Sequence, residues 1–290
     1  MSVLHFGRTT NPLKLVFCHA NGFNAQSYRA VLEPLGVHAV ALDLRGHGFT
    51  DMAAEAERLV NWQVFANDIA DYFDAHVKRP VVLAGHSYGA VSGILSLPRT
   101  RDKVHGYVGF DPVLVPAPMR AATRFSWGRE WVKLRLPIAR KAGERRAVFS
   151  SREAVFGRYQ GRGAFKGVPD EVLRDYVEGG TRERLDGGVR LACDPLWEQA
   201  IFAAQAHNMF ARVPLLPDAS RIVFAGARGA VSTARQQASV QRLQPNIAVE
   251  CEAERQHLFP LQDPAFASGV LLDVMQRAAL TLKPRAAAAP

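Results

Sequence analysis

The sequence predicts an α/β fold, a mostly parallel central sheet flanked by helices, interrupted once by an inserted helical cap. Three observations predict it. Short apolar runs alternate with longer segments of helical period, as they do when strands are joined by crossover helices. The alternation stops at Pro112, and from Pro116 to about Pro217 there is no convincing strand but an abundance of arginines and aromatics. Beyond that stretch the strand pattern resumes, so the middle reads as an insertion. With 290 residues, 48% of them apolar, the chain can cover both faces of such a sheet. The expected division is a core of residues 1–112 and 218–283, an inserted helical cap of residues 113–217, and an Ala- and Pro-rich tail, 284–290, expected to be disordered.

In chain order, the expected strands are Leu13 to Cys18, Val37 to Leu42, Val81 to Ala84, Val104 to Phe110, Arg221 to Ala225 and Ile247 to Cys251. Each is a short apolar run bounded by polar or turn-forming residues. A polar loop, His19-Ala20-Asn21-Gly22-Phe23, follows the first and leads to a helix starting near Ala25. A second loop, Asp43-Leu44-Arg45-Gly46-His47-Gly48, follows the next; there Asp43 and Arg45 can pair. Between Val60 and His76 the residues Val60, Val64, Phe65, Ile69 and Phe73 share one helical face. Ala90 to Leu97 is helix-compatible, and an apolar helix is expected from about Asp263 to Leu282.

The chemistry gathers at loops following strands. Gly85-His86-Ser87-Tyr88-Gly89 stands between the run Val81-Val82-Leu83-Ala84 and the helix after it, so Ser87 occupies a sharp strand-to-helix turn that pushes its hydroxyl into the open. Backbone N–H groups of Asn21, from the first loop, and of Tyr88, next to the serine, are the expected donors to the oxyanion of an acyl-transfer intermediate. The plainer reading of the first loop is a helix cap.

In this chain order, the H-G-type loop, a D-x-R-G-H-G-x-S loop, here ending Phe49-Thr50, and the serine elbow resemble the α/β-hydrolase superfamily. The resemblance covers about residues 10 to 112 and 218 to 280. It implies an α/β-hydrolase fold with a variable cap, a serine nucleophile at Ser87 and a histidine near the C-terminus. Ala20 stands where glycine is usual.

A hydroxyl needs an imidazole within hydrogen-bond reach to accept its proton. Of nine histidines, His257 is best placed, in Gln256-His257-Leu258-Phe259-Pro260 after the last strand. This looks like the family's H-x-x-P loop. His86 is expected to point away along the elbow. His19, His47 and His207 read as structural or pocket-lining, with His207 the strongest candidate among them for a substrate contact. The acid departs from the commonest family pattern. The loop after the cap reads Gly226-Ala227-Arg228-Gly229-Ala230-Val231-Ser232 and holds no carboxylate. Asp111, at the end of the Val104–Phe110 strand, is the chosen substitute, since some haloalkane dehalogenases supply their acid from that strand end. The competing readings are a strand-end aspartate that only turns the chain, with Ser232 or a water orienting the histidine.

These roles imply a serine hydrolase that cleaves a carboxylic ester of a small or medium acyl group through an acyl-enzyme, a small-molecule esterase with a catalytic triad. A serine at the elbow argues against dehalogenase and epoxide-hydrolase chemistry, which uses a carboxylate there. Lactone or C–C hydrolysis, acyl transfer, or ligand binding without catalysis remain alternatives. Neither a cofactor nor a metal site is expected: Cys18, Cys193 and Cys251 are scattered without C-x-x-C spacing and read as buried structural thiols. Met1 to Arg8 has no signal-peptide character and there is no run of about eighteen apolar residues, so a cytoplasmic protein without integral membrane contact is expected. Between Arg120 and Lys166 thirteen Lys or Arg face three acidic residues, an excess of +10 that alone accounts for the formal +9 of the chain. That basic cap reads either as attraction of anionic substrates or a membrane surface, or as solvated helix faces. No recognition motif for nucleic acid accompanies the charge. Phe125, Trp127, Trp131, Phe149, Phe156, Phe165, Trp197, Phe202 and Phe210 either line an acyl pocket or hold the cap together. Oligomeric state and natural substrate are not legible.

Overall fold

The computed structural model describes residues 1–227 and 231–281. Arg228, Gly229 and Ala230 of the loop after the insertion, and the tail 284–290, lie outside the described residues.

A seven-stranded sheet forms the centre. Its strands are β1 (Ser2–Phe6), β2 (Leu15–Cys18), β3 (Ala39–Asp43), β4 (Val81–His86), β5 (Val104–Phe110), β9 (Ser220–Ala225) and β10 (Ala248–Glu252), in the order β1-β3-β2-β4-β5-β9-β10. All neighbours run parallel except β1, which pairs antiparallel with β3 from Ser2↔Asp43 to Phe6↔Ala39. Strand β1 is absent from the sequence reading. It lies at the edge, and Ser-Val-Leu-His-Phe mixes polar and apolar residues too briefly to stand out.

Burial on both faces explains the continuous apolar runs. Leu15 and Phe17 of β2 join one core, and Val16 and Cys18 join the other. Val223 and Ala225 of β9 likewise oppose Ile222 and Phe224. One face is covered by the helices Gln63–His76 and Tyr88–Thr100, through Phe65, Ile69, Phe73, Val91 and Ile94. The other is covered by the helix Pro264–Thr281, through Ala267, Val270, Leu271 and Val274. The first of these helices begins at Gln63, later than the periodicity suggests, because Trp62 turns inward and donates from Nε1 to Ile201 O at 3.0 Å.

Between β5 and β9 the chain forms six helices: Ala117–Ala122, Ser126–Arg135, Pro137–Gly143, Arg152–Tyr159, Asp170–Gly179 and Pro195–Ala203. It is not wholly helical. Three short strands, β6 (Val148–Phe149), β7 (Thr181–Glu183) and β8 (Val189–Leu191), form an antiparallel sheet in the order β6-β8-β7. Their two- and three-residue lengths give no periodic signal, although Asp186-Gly187 between β7 and β8 is a hairpin cue. The insertion is bolted to the loops of the sheet. Arg182 donates to Gly48 O and Thr50 O, Asn24 Nδ2 donates to Tyr176 O, and Trp197 Nε1 donates to Arg45 O. No helix among the described residues is long and apolar enough to cross a membrane.

Candidate active site

Ser87 sits between β4 and the helix that begins at Tyr88, with φ 57° and ψ −122°. Among the described residues, the two non-glycine residues with positive φ are Ser87 and Asp111. Such backbone costs about 1–3 kcal/mol apiece and persists only where its surroundings enforce it. At Ser87 the enforcement is visible. A Cβ on Gly85 would lie 2.6 Å from Ala90 N, and one on Gly89 would run into the carbonyl oxygens of His19 and Cys18. Both positions therefore exclude any side chain, while Ser87 N donates to Phe110 O at 2.8 Å and ties the turn to β5.

Asp111 follows β5 directly and is fully buried. Its Oδ1 accepts from Ala225 N at 3.1 Å, and its own N–H donates to Val223 O at 2.8 Å, so β9 holds it from both ends. Its Oδ2 lies 2.6 Å from His257 Nδ1. His257 Nε2 is 3.0 Å from Ser87 Oγ. With Asp111 accepting, Nδ1 carries the proton and Nε2 faces the hydroxyl as an acceptor. Serine, histidine and aspartate thus come together from the ends of three different strands. Ser232 does not take the acid's place: its Oγ accepts from Gln237 Nε2 at 3.1 Å.

Tyr88 follows Ser87 directly, and Asn21 stands in the loop after β2. Among the described residues no acceptor takes either backbone N–H, and the Tyr88 amide opens the helix, where the helix dipole favours negative charge. The Asn21 loop is held by its surroundings. The Asn21 side chain donates to Glu198 O at 3.0 Å, and Gly22 N donates to His47 Nε2 at 3.1 Å. His19 Nε2 accepts from Leu44 N at 3.0 Å and its Nδ1 pairs with Ala20 O at 2.8 Å, so His19 is a structural strut between two loops. Burial pushes it down to about 4, and His47 well below the usual histidine range, with His19 beside it adding to that effect.

Sequence reasoning missed a second set of groups. Ala20 N donates to Tyr28 Oη at 3.1 Å, Tyr28 Oη lies 2.7 Å from His86 Nδ1, and His86 Nε2 lies 2.8 Å from His257 O. The order of donors is set by its ends: the hydroxyl donates to Nδ1, so Nε2–H donates to the His257 carbonyl. His86 points away from the hydroxyl of Ser87, as expected, yet it is a tie between the oxyanion loop and the histidine loop. Burial is the main reason its imidazole stays neutral, with His257 nearby adding to it. Only the tyrosine's position in space could reveal this.

Other expectations are corrected. Asp43 does not pair with Arg45; it accepts from Ala25 N and Phe49 N, both at 2.9 Å, while Arg45 grips Asp68 through Nε and Nη2. Asp43 needs to join two loops, and Asp68 on the adjacent helix meets the guanidinium fork. His207 is buried and stacked on Trp62 at 4.4 Å between centroids. Cys251 is exposed rather than buried, because β10 is an edge strand. Among the aromatics, Phe149 and Trp197 are buried, whereas Phe125, Trp127 (64% exposed) and Trp131 (56%) face outward.

A cavity of about 710 Å³ lies in the insertion and is walled on the core side by Gly22 and Phe23, the residues after Asn21. Phe165 lines it as well; Ser87 and His257 do not. Among the described residues no group of three or more His, Cys, Asp or Glu could hold a metal ion.

The sequence profile of an alpha/beta hydrolase family matches residues 15–269. A 2-(acetamidomethylene)succinate hydrolase from Mesorhizobium japonicum is 26% identical over 251 residues, 83% of this chain and 79% of that protein. The crystal structure of an E-2-(acetamidomethylene)succinate hydrolase superposes with a TM-score of 0.75 at 20% identity, covering 94% of each chain. A putative aryl esterase from Burkholderia cenocepacia gives a TM-score of 0.64 at 16% identity, over 96% of this chain and 94% of that one.

Proposed function

The chain belongs to the alpha/beta hydrolase family, and we propose that within it this protein is a serine hydrolase that cleaves carboxylic esters of small or medium acyl groups. A single observation carries the reading: Ser87 Oγ, His257 and Asp111 form a relay with separations of 3.0 and 2.6 Å.

In this mechanism His257 Nε2 takes the Ser87 proton as Oγ bonds to the ester carbonyl carbon. The carbonyl oxygen becomes an oxyanion held by the N–H groups of Asn21 and Tyr88. Asp111 stabilises the imidazolium without taking its proton. The C–O bond to the alcohol then breaks, and His257 Nε2–H protonates the departing oxygen. Water, deprotonated by the same nitrogen, attacks the acyl-enzyme and releases the acid, restoring Ser87 Oγ–H. The Tyr28–His86 tie would hold the two participating loops at a fixed separation throughout.

A second reading is cleavage of an acylated nitrogen. The acetamido group in the name of the Mesorhizobium relative favours it. The same groups would serve, with His257 protonating an amine. The test uses p-nitrophenyl acetate and butyrate beside the matching p-nitroanilides. We expect an initial burst of nitrophenol from the esters, none from Ser87→Ala, and fluorophosphonate labelling at Ser87. Absence of both turnover and labelling would reject a serine hydrolase, and turnover confined to the anilides would transfer the proposal to amides.

A further inference from the structure

We infer, resting on the serine-hydrolase reading, that the substrate's acyl part ends in a carboxylate and that Arg145 in the insertion's cavity receives it. Arg145 stands among thirteen cations between Arg120 and Lys166, but its guanidinium is largely buried, with 19% of the side chain exposed. Burying such a charge is unfavourable unless it is closely partnered, and its partners are specific. Nη1 pairs with the Glu198 carboxylate, while Nη2 donates to Tyr159 Oη at 3.1 Å and Tyr176 Oη at 2.6 Å. Among the described residues no acceptor takes the Nε–H. Arg145 is thus fixed in place with donor capacity left over.

The rest of the cavity selects for an anion. Its ionisable lining is Lys141, Arg145, Arg158 and Arg162 against the single acid Glu198. One pairing cancels and three cations remain. The remaining wall is mainly apolar, with Phe23, Ile138 and Phe165 prominent. Lys141, Arg158 and Arg162 are exposed around the buried Arg145, so their joint field draws an anion toward it over a distance set by salt screening. A volume of about 710 Å³ suits a small organic ligand, and a guanidinium matches a planar carboxylate. Position connects this site to the chemistry. Gly22 and Phe23 form its core-side wall, and Glu198 contributes both the carboxylate that holds Arg145 and the carbonyl that receives the Asn21 side chain. The acid group would therefore be read on the insertion side of the oxyanion loop.

The experiment compares mono-p-nitrophenyl glutarate with p-nitrophenyl hexanoate, a neutral ester of similar length. We expect kcat/KM for the anionic ester to exceed that of the neutral one by at least tenfold. In Arg145→Met/Glu198→Gln, which leaves no buried carboxylate stranded, that ratio should fall at least tenfold. The ratio within each protein divides out general losses of activity. Should this variant not melt cooperatively, Lys141→Gln/Arg158→Gln/Arg162→Gln decides, and its ratio should also fall. No preference in the wild type, or a preference unchanged in the deciding variant, overturns the inference while the ester reading stands. Binding is followed separately on Ser87→Ala by melting with glutarate, 1,5-pentanediol or inorganic phosphate; a shift with glutarate alone supports the carboxylate site. An equal shift with phosphate overturns it. Glutarate binding without turnover of any ester would reject the hydrolase reading and keep the anion site.

Discussion

Replacing Asp111 with asparagine puts the relay under its sharpest test, because the two carboxylate oxygens have different duties. Oδ1 accepts from Ala225 N and Oδ2 from His257 Nδ1. An amide offers one oxygen and one NH₂. If its oxygen stays with Ala225, the NH₂ faces Nδ1 and drives the imidazole to the tautomer protonated at Nε2, which cannot accept the Ser87 proton. If the amide flips, its NH₂ meets the Ala225 N–H inside a fully buried pocket, an unpaired donor costing about 1–3 kcal/mol. Either arrangement also removes the negative charge from beside the imidazolium. At an effective dielectric constant of about 20 and a charge separation of roughly 2.6–4 Å, that attraction is about 4–6 kcal/mol. The corresponding loss is about a thousand- to ten-thousand-fold in kcat, in line with the tautomer effect known for such triads. The assay is steady-state hydrolysis of p-nitrophenyl butyrate, accompanied by a melting curve to establish that the variant folds. A folded Asp111→Asn with kcat within tenfold of wild type would refute the assignment of the acid.

His86→Phe should lower kcat by about 10- to 100-fold, because it leaves the His257 carbonyl without its donor and the Tyr28 hydroxyl without its acceptor, and frees the histidine loop from the oxyanion loop; unchanged kcat in a folded variant would show the tie to be idle. Gly89→Ala should abolish soluble folded protein or lower its melting temperature by several degrees, since its Cβ would overlap the His19 and Cys18 carbonyls. On acidification, the neutral buried histidines should destabilise the fold. His19 is held down to about 4 and His207 to about 3, and His47 and His86 are also lowered. Below about pH 6.5 the unfolded chain takes up protons that the native state refuses, so stability falls with pH by up to about 1.4 kcal/mol per unit for each histidine. Denaturant melts at pH 7.5, 6.5 and 5.5 should show midpoints dropping mainly below 6.5; a flat profile would contradict buried, neutral imidazoles.

The sheet was legible because buried strands must be apolar on both faces, so β2, β3, β4, β5 and β9 each leave a short run between turn residues. Strand β1 was not, since an edge strand needs no such run. Strands β6 to β8 are too short to carry a period at all. Ser87 was legible because a turn this sharp demands glycines two residues to either side, a requirement written locally. His257 and Asp111 were found by their order along the chain rather than by any local pattern, and nothing in sequence measures the 2.6 Å between them.

What the sequence alone determined is what depends on neighbours along the chain: the runs that become strands, the elbow, the two polar loops and the boundaries of the insertion's basic stretch. The tertiary structure decided everything that depends on contact between distant residues. It assigns Asp43 to two loops and Arg45 to Asp68, turns His86 into a link through Tyr28, and singles out Arg145 from a dozen similar cations. The physical reason is the same in each case. A side chain's chemistry is set by what desolvates it and what pairs with it, and those groups arrive from 6 to 171 positions away.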